Sequence, residues 1–122
     1  SQLVQHLLAE GYLIHAAPIA FQLAVFHPEH TDYVYQAAQI FQRLAIFDVA
    51  AMWYAVYIDQ MKETPSPVAH YGLGQCFFGL EKMDLALQHF ETAFELSRGQ
   101  EQWRFVQGQA EFAIQNLRFN AK

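Results

Sequence analysis

The sequence predicts an all-α protein built from repeated helix pairs, and three observations lead to that class. Apolar residues recur at intervals of three and four, which is the period of one helix face. Six Gly and four Pro in 122 residues confine helix-breaking positions to short segments. The chain also resembles itself at an offset of 36 residues, which is typical of tandem helix hairpins.

The composition favours one domain over residues 1–122 and excludes several function classes. The net charge is −5 and the seven Lys and Arg residues form no basic run, so we expect neither nucleic acid nor an anionic membrane as partner. No apolar run is long enough to span a membrane. Cys76 is the single cysteine, which rules out an internal disulfide and suits a reducing cytosol.

Short breaks divide the predicted helical pattern into about seven helices. They lie near residues 11–14, 27–31, 45–47, 63–67, 81–83 and 98–100. Each segment between two breaks has an ordinary length for a helix of a globular domain.

Three copies of one helix pair can be aligned. Residues 47–57, in the second copy, and residues 83–93, in the third copy, share an acidic residue, an alanine and an aromatic residue at equal spacing, and residues around Ala16 and Pro28 form the first copy. The matched positions of the second and third copies are Asp48 with Asp84, Ala50 with Ala86, and Tyr54 with Phe90. We expect each Asp to stand directly before its second helix, where its carboxylate can accept the free backbone N–H groups and meet the positive end of the helix dipole.

The spacing of residues in the third copy fits two antiparallel helices that pack closely against each other. Gly74 and Ala86 are small, so the two antiparallel helices can approach closely, while Leu73, Phe77 and Phe90 fill the space between them. Ala93 is then expected to leave room for the next helix. The second copy has Ala38 in place of the glycine and Tyr57 in place of the closing small residue, so its packing should differ.

Residues 101–119 are predicted to form a capping helix that covers the last pair. Its core-facing positions recur at three and four: Trp103, Val106, Ala110, Ala113 and Leu117. Phe105, Phe112 and Phe119 fall seven apart on a neighbouring strip. Burial of that strip is the favoured interpretation, and a surface open to a partner is the alternative.

Candidate chemistry is sparse, and neither an enzyme, a cofactor nor a metal site is predicted. His27, Glu29 and His30 flank Pro28 in a spacing typical of a solvated turn rather than of a metal site. Cys76 with His70 or His89 could form a nucleophile and base, but its place inside a helix is more typical of a small buried residue.

The spacing of the third copy resembles the tetratricopeptide repeat, which has a 34-residue period. The residues that carry the resemblance are Leu73, Gly74, Phe77, Ala86, Phe90 and Ala93. The resemblance implies a right-handed superhelical α-solenoid of three hairpins, over residues 1–30, 31–66 and 67–100, followed by the capping helix. It further implies a concave groove lined by the first helix of each pair.

Transferred residue by residue, the repeat pattern implies a set of groove-facing side chains. They are Gln5, Leu8, Asp32, Tyr35, Gln39, Gln42, Val68, Tyr71, Gln75 and Phe78. Such aromatic, aliphatic and amide groups suit an extended apolar segment of a client protein, whose backbone the amides could bind. The alternative is that Tyr35, Tyr71 and Phe78 belong to the core between repeats.

A narrower resemblance is to the class II chaperones of bacterial type III secretion systems. It is carried by "YGLGQCFFGLEKMDLALQHFETA" (71–93), by the preceding repeat, and by "EQWRFVQGQAEFAIQNL" (101–117). It implies a non-catalytic bacterial cytoplasmic protein that keeps a secreted translocator or needle subunit soluble before export. It also implies a homodimer or a complex with a co-chaperone. The alternative is a general tetratricopeptide scaffold that joins protein partners.

Overall fold

The computed structural model describes residues 2–9 and 11–120, with the side chain of residue 120 left out of the description. In these residues there are seven α-helices and one short 3-10 helix, and no strand. The α-helices are α1 (Gln2–Ala9), α2 (Leu13–Phe26), α3 (Thr31–Arg43), α4 (Phe47–Gln60), α5 (Pro67–Gly79), α6 (Met83–Ser97) and α7 (Arg104–Asn120). The 3-10 helix spans Glu101–Trp103.

The predicted helix breaks are confirmed. The gaps between successive helices fall within or beside the six predicted segments, except that residues 101–103 form the 3-10 turn before α7. Contacts divide the chain into two compact units, residues 1–60 and residues 61–122.

One turn geometry recurs in all three hairpins. Gly11, Ala45 and Glu81 each have positive φ (79°, 61° and 61°), and their numbers differ by 34 and 36. In each turn the residue that follows donates its N–H to a carbonyl five positions back: from Tyr12 to Leu7 (2.8 Å), from Ile46 to Phe41 (2.9 Å) and from Lys82 to Phe77 (2.9 Å). Because two of the three residues are not glycine, surrounding structure must hold this left-handed conformation.

Residues 1–60 form two helix pairs, α1–α2 and α3–α4, and α3 also packs against α2. The core of this unit consists mainly of small residues: Val4, Ala16, Ala20, Ala24, Val34, Ala37, Ala38, Ile40, Ala50 and Tyr54 are all buried. Trp53 is also buried, and its ring meets Phe21 edge-on at 5.6 Å. Small side chains at these contacts let the helix backbones come close.

Residues 61–122 place α6 between α5 and α7. Gly74, Ala86 and Phe90 are buried, and a Cβ added at Gly74 would lie 2.7 Å from two ring carbons of Phe90. The predicted close approach at Gly74 is therefore confirmed. Ala93 is fully buried, and Ile114 of α7 packs in the same cluster as Phe90.

The predicted position of Asp48 and Asp84 directly before their second helices is wrong. The second helices begin at Phe47 and Met83, so each Asp lies one residue inside its helix. Lys82 occupies the N-cap of α6 without a side-chain hydrogen bond, and Asp48 accepts only the N–H of Val49 (2.8 Å). Both carboxylates still lie in the first turn, where the helix dipole favours negative charge.

The side-chain cap that the structure shows is at α5. Ser66 Oγ accepts the backbone N–H of Ala69 at 3.1 Å, and Pro67 begins the helix. A serine cap followed by proline at the first helical position is a common helix start.

The core-facing side of α7 is as predicted, with Ala110 fully buried and the other four positions half-buried. The prediction that the phenylalanine strip is buried is wrong, because Phe105, Phe112 and Phe119 are 75 %, 68 % and 76 % exposed. Residues that are two positions apart in a helix differ by about 200° of rotation about the helix axis. Phe112 therefore lies nearly opposite Ala110 and Ile114, on the side away from α6. Among the described residues, no helix combines the length and hydropathy needed to cross a membrane.

Candidate functional site

A first pocket of about 490 Å³ opens between α1 and α3 in residues 1–60. It brings together the predicted Leu8, Tyr35 and Gln39. The full lining is Gln5, Leu8, Asp32, Tyr33, Tyr35, Gln36, Gln39, Ile40 and Arg43. The pocket thus combines aromatic and aliphatic surface with amides, and carries one acidic and one basic side chain.

Tyr35 is half-buried and belongs both to the pocket and to the packing of its unit. Its ring lies 4.8 Å from that of Tyr57 and 6.1 Å from that of Tyr54, between ring centroids. Burial, and then the neighbouring Tyr57, raise the pKa of its phenol, so the hydroxyl stays protonated at neutral pH. The core alternative for this residue therefore holds in part.

Gln42 does not line the first pocket. Its Oε1 accepts a hydrogen bond from the hydroxyl of the buried Tyr54 on the neighbouring helix α4. Position within the repeat placed Gln42 beside Gln39, but the tyrosine hydroxyl holds it against α4. An aromatic residue with a hydroxyl at the paired position is the sequence signal that could have indicated this.

In residues 61–122 the predicted residues of α5 follow one side of that helix. Val68, Tyr71 and Gln75 are half-buried, while Phe78 is 52 % exposed. Tyr71 packs against Phe90 with ring centroids 5.4 Å apart. Burial raises the pKa of Tyr71, and its hydrogen bond with Gln75 partly opposes this shift, so the two side chains are held together.

A second pocket of about 450 Å³ lies between α5 and α7 in the same unit. Tyr71 is its contribution from α5. The remaining lining comes from α7: Arg104, Phe105, Gly108, Gln109 and Phe112. These α7 residues were not among the site residues predicted from the sequence.

The possible cysteine nucleophile is poorly placed for that chemistry. Cys76 is fully buried, and burial raises the pKa of its thiol to about 12, so the thiol stays protonated. His70 and His89 instead contact each other, with their Nδ1 atoms 3.2 Å apart. Burial lowers the pKa of both imidazoles, and in His70 the neighbouring His89 adds to that effect.

The loop between α2 and α3 is exposed. Nδ1 of His27 lies 3.6 Å from a carboxylate oxygen of Glu29, and Nε2 of His30 lies 4.0 Å from the same oxygen. Within the part of the chain that the structure describes, there is no group of three or more His, Cys, Asp or Glu that could hold a metal ion.

The recurring helix pairs, whose turns are 34 and 36 residues apart, define the tetratricopeptide-like fold. Comparison with solved structures supports this fold. The chain is similar to the Yersinia enterocolitica type III secretion translocator chaperone SycD, with a TM-score of 0.88 and 12 % identity. That match covers 98 % of this chain and 81 % of SycD.

Two further similar structures contain a bound segment of another protein. One is SycD in complex with a peptide of the translocator YopD (TM-score 0.89, 12 % identity, covering 99 % of this chain and 91 % of the other). The other is PcrH in complex with the chaperone-binding region of PopD (TM-score 0.88, 16 % identity, covering 99 % and 90 %). The predicted all-α, tetratricopeptide-like fold is confirmed.

Neither a scan against models of known protein families nor a search of curated proteins gives a match for this chain.

Proposed function

We propose that this protein is a translocator chaperone of a type III secretion system. It binds an extended apolar segment of a secreted translocator and keeps that protein soluble and unassembled before export. The observation that carries the proposal is the fold shared with SycD and PcrH, each solved with a segment of a translocator or a chaperone-binding region.

The pockets of this chain have the chemistry that such a client requires. In the first pocket, Tyr35 and Leu8 offer apolar surface, while exposed Gln39 offers an amide to an extended backbone. In residues 61–122, Phe78 adds an exposed aromatic ring. Binding of this kind stabilises the client by burying its apolar side chains, and it needs neither catalysis nor nucleotide.

The client-binding residues we propose are Leu8, Tyr35, Gln39, Gln42, Val68, Tyr71, Gln75 and Phe78. Gln42 acts indirectly, since its bond to Tyr54 positions α3 against α4. We further propose that the three helix pairs and α7 act as one domain in the bacterial cytoplasm, where a client is synthesised and must wait for export.

Fluorescence anisotropy with labelled peptides tests the proposal. Overlapping 15- to 20-residue peptides from YopD and from the chaperone-binding region of PopD are titrated with the full chain, and the tightest-binding peptide is kept as the probe. Phe78→Ala should then weaken probe binding by about 1–3 kcal/mol, because it removes an exposed aromatic contact. Circular dichroism should show an unchanged fold.

Phe26→Ala is the matched control. Phe26 is 73 % exposed but lies at the end of α2, the second helix of its pair, whereas the proposed site lies on the first helices, so its removal should leave the affinity unchanged. Equal affinities for wild type, Phe78→Ala and Phe26→Ala would overturn the assigned surface. Failure of every peptide to bind, together with capture of folded partners, would favour a scaffold that joins proteins.

A further inference from the structure

We propose that α7 is a fourth client-binding helix, beside α1, α3 and α5, as well as a cap, and that the second pocket receives an apolar side chain of the same extended client segment. The residues responsible are Phe105, Gln109 and Phe112 of α7 together with Tyr71 of α5. This inference rests on the proposed chaperone function and extends the client site beyond the three helix pairs.

The sequence repeats the same side-chain pattern on α3, α5 and α7. Each helix carries an aromatic residue followed four positions later by glutamine: Tyr35 with Gln39, Tyr71 with Gln75, and Phe105 with Gln109. The offsets between these pairs are 36 and 34 residues, the same as those between the hairpin turns. By this register α7 corresponds to the first helix of a fourth pair, and first helices are those that present the proposed client site.

The second pocket shows that this register places the α7 residues beside a residue of the proposed site. Tyr71 lines the pocket together with Phe105, Gln109 and Phe112. Gly108 lies between the two phenylalanines, and a Cβ added there would meet no atom within 4 Å. The missing side chain leaves the depression open between two exposed aromatic rings, which is the shape that accepts one apolar side chain.

The occupant follows from continuity and from chemistry. Because Tyr71 belongs both to the α5 surface and to this pocket, a segment that contacts α5 there reaches α7 as well. Gln109 is half-buried and supplies an amide at the register position that Gln75 holds on α5. Arg104 at the rim is paired with Glu101 at 2.6 Å, so the pocket does not select for an acidic client.

Phe119 distinguishes a client side chain in the second pocket from a second copy of the chain packed along α7. Phe119 lies on the same strip of α7 and is as exposed as Phe105, but it does not line the pocket. A second copy of the chain packed along the whole strip would use all three phenylalanines. A client side chain in the pocket uses only Phe105 and Phe112.

The experiment uses the peptide probe selected above and three matched variants of the full chain. Phe105→Ala and Phe112→Ala should each weaken probe binding by about 5- to 30-fold, whereas Phe119→Ala should change it by less than about twofold. All three rings are more than two thirds exposed, so the variants should keep the wild-type circular dichroism and melting temperature.

A fourth variant tests the shape of the pocket. Gly108→Leu fills the depression while raising helix propensity, so α7 should remain folded and probe binding should fall by about tenfold or more. If the affinity of Gly108→Leu for the probe is unchanged or increased, no client side chain enters between the two rings.

The possible outcomes separate this inference from the proposed function. If Phe78→Ala weakens binding but the Phe105, Phe112 and Gly108 variants do not, α7 is only a cap and the inference is wrong. If no peptide binds to wild type, both proposals are wrong. If all three phenylalanine variants convert a dimer to a monomer in sedimentation velocity without changing peptide affinity, a second copy covers the strip and the inference is also wrong.

Discussion

The second and third helix pairs carry equivalent residues 36 positions apart, yet they solve the contact between their helices differently. In α5–α6, Gly74 faces Phe90 so closely that a Cβ would lie 2.7 Å from the ring. The equivalents in α3–α4 are Ala38 and Tyr54, which are 0 % and 3 % exposed. The position of the ring against the facing helix, rather than the repeat pattern alone, therefore determines whether a methyl group fits.

The same aromatic position also differs in what it contacts on the first helix of its pair. Tyr54 uses its hydroxyl to bind Gln42, which is thereby held against α4. Phe90 has no hydroxyl, and Phe78, the equivalent of Gln42 on α5, is 52 % exposed. One oxygen atom in the core of a hairpin thus changes the surface of that hairpin.

The largest expected effect comes from giving the third pair the residue of the second. Gly74→Ala gains up to about 1 kcal/mol in helix propensity, but its Cβ must displace a buried ring, which costs about 1–3 kcal/mol through overpacking. We expect a net loss of about 1–2 kcal/mol in the free energy of unfolding, measured by urea denaturation.

The reciprocal change, Ala38→Gly, is the control. It should also destabilise, by about 1.5–2 kcal/mol, through lost helix propensity and a lost buried methyl group. A double variant, Gly74→Ala with Phe90→Leu, should be less destabilised than the sum of its single variants, because the smaller side chain relieves the clash. A Gly74→Ala protein more stable than wild type would contradict the close contact.

A smaller effect is expected from removing the hydroxyl that distinguishes the second pair. Tyr54→Phe should lower the free energy of unfolding, measured by urea denaturation, by about 0.5–1.5 kcal/mol, because Gln42 loses the hydrogen bond from the Tyr54 hydroxyl. It should also free Gln42 to change its side-chain conformation, which NMR of the glutamine amide group would detect. Unchanged stability together with an unchanged amide resonance would show that the hydrogen bond contributes nothing to positioning α3.

The smallest expected effect is a pH dependence confined to the third pair. His70 and His89 contact each other there, whereas their equivalents in the second pair are Val34 and Trp53, which do not titrate in this range. Burial lowers the pKa of both histidines below the usual 6.5, so the unfolded chain binds protons more readily than the folded one. The free energy of unfolding should therefore be highest above pH 6.5, where both histidines are neutral, and should fall as the pH drops below 6.5.

Urea denaturation of wild type and His70→Gln between pH 8 and pH 5 measures this effect. The variant should lose less stability than wild type over that interval, since one of the two imidazoles is gone. A control variant, His15→Gln, removes an exposed histidine of α2 and should follow the wild-type curve. Parallel curves for wild type and His70→Gln would contradict the assigned role of the pair.

Much of the fold could be predicted from the sequence because it depends on local rules. The period of the apolar residues and the scarcity of glycine and proline predict the helices and the breaks between them. Small residues that recur at offsets of 34 and 36 residues predict the hairpins, and Gly74 indicates the closest contact of the third pair. Tyr35, Gln39 and Leu8 could be placed in one pocket because they occupy equivalent faces of neighbouring first helices.

Other features were decided only by the tertiary structure, because they depend on which surfaces the neighbouring helices cover. Phe105 and Phe112 have the hydropathy of core residues, but α6 packs on the opposite side of α7, so both remain exposed. Gln42 has the register of a pocket residue, but a hydroxyl from α4 holds it. The sequence by itself determined where the helices lie and which small residues let them meet. Only the packing of one helix against the next decided which aromatic rings were left for a partner, since burial is a property of the neighbour as much as of the residue.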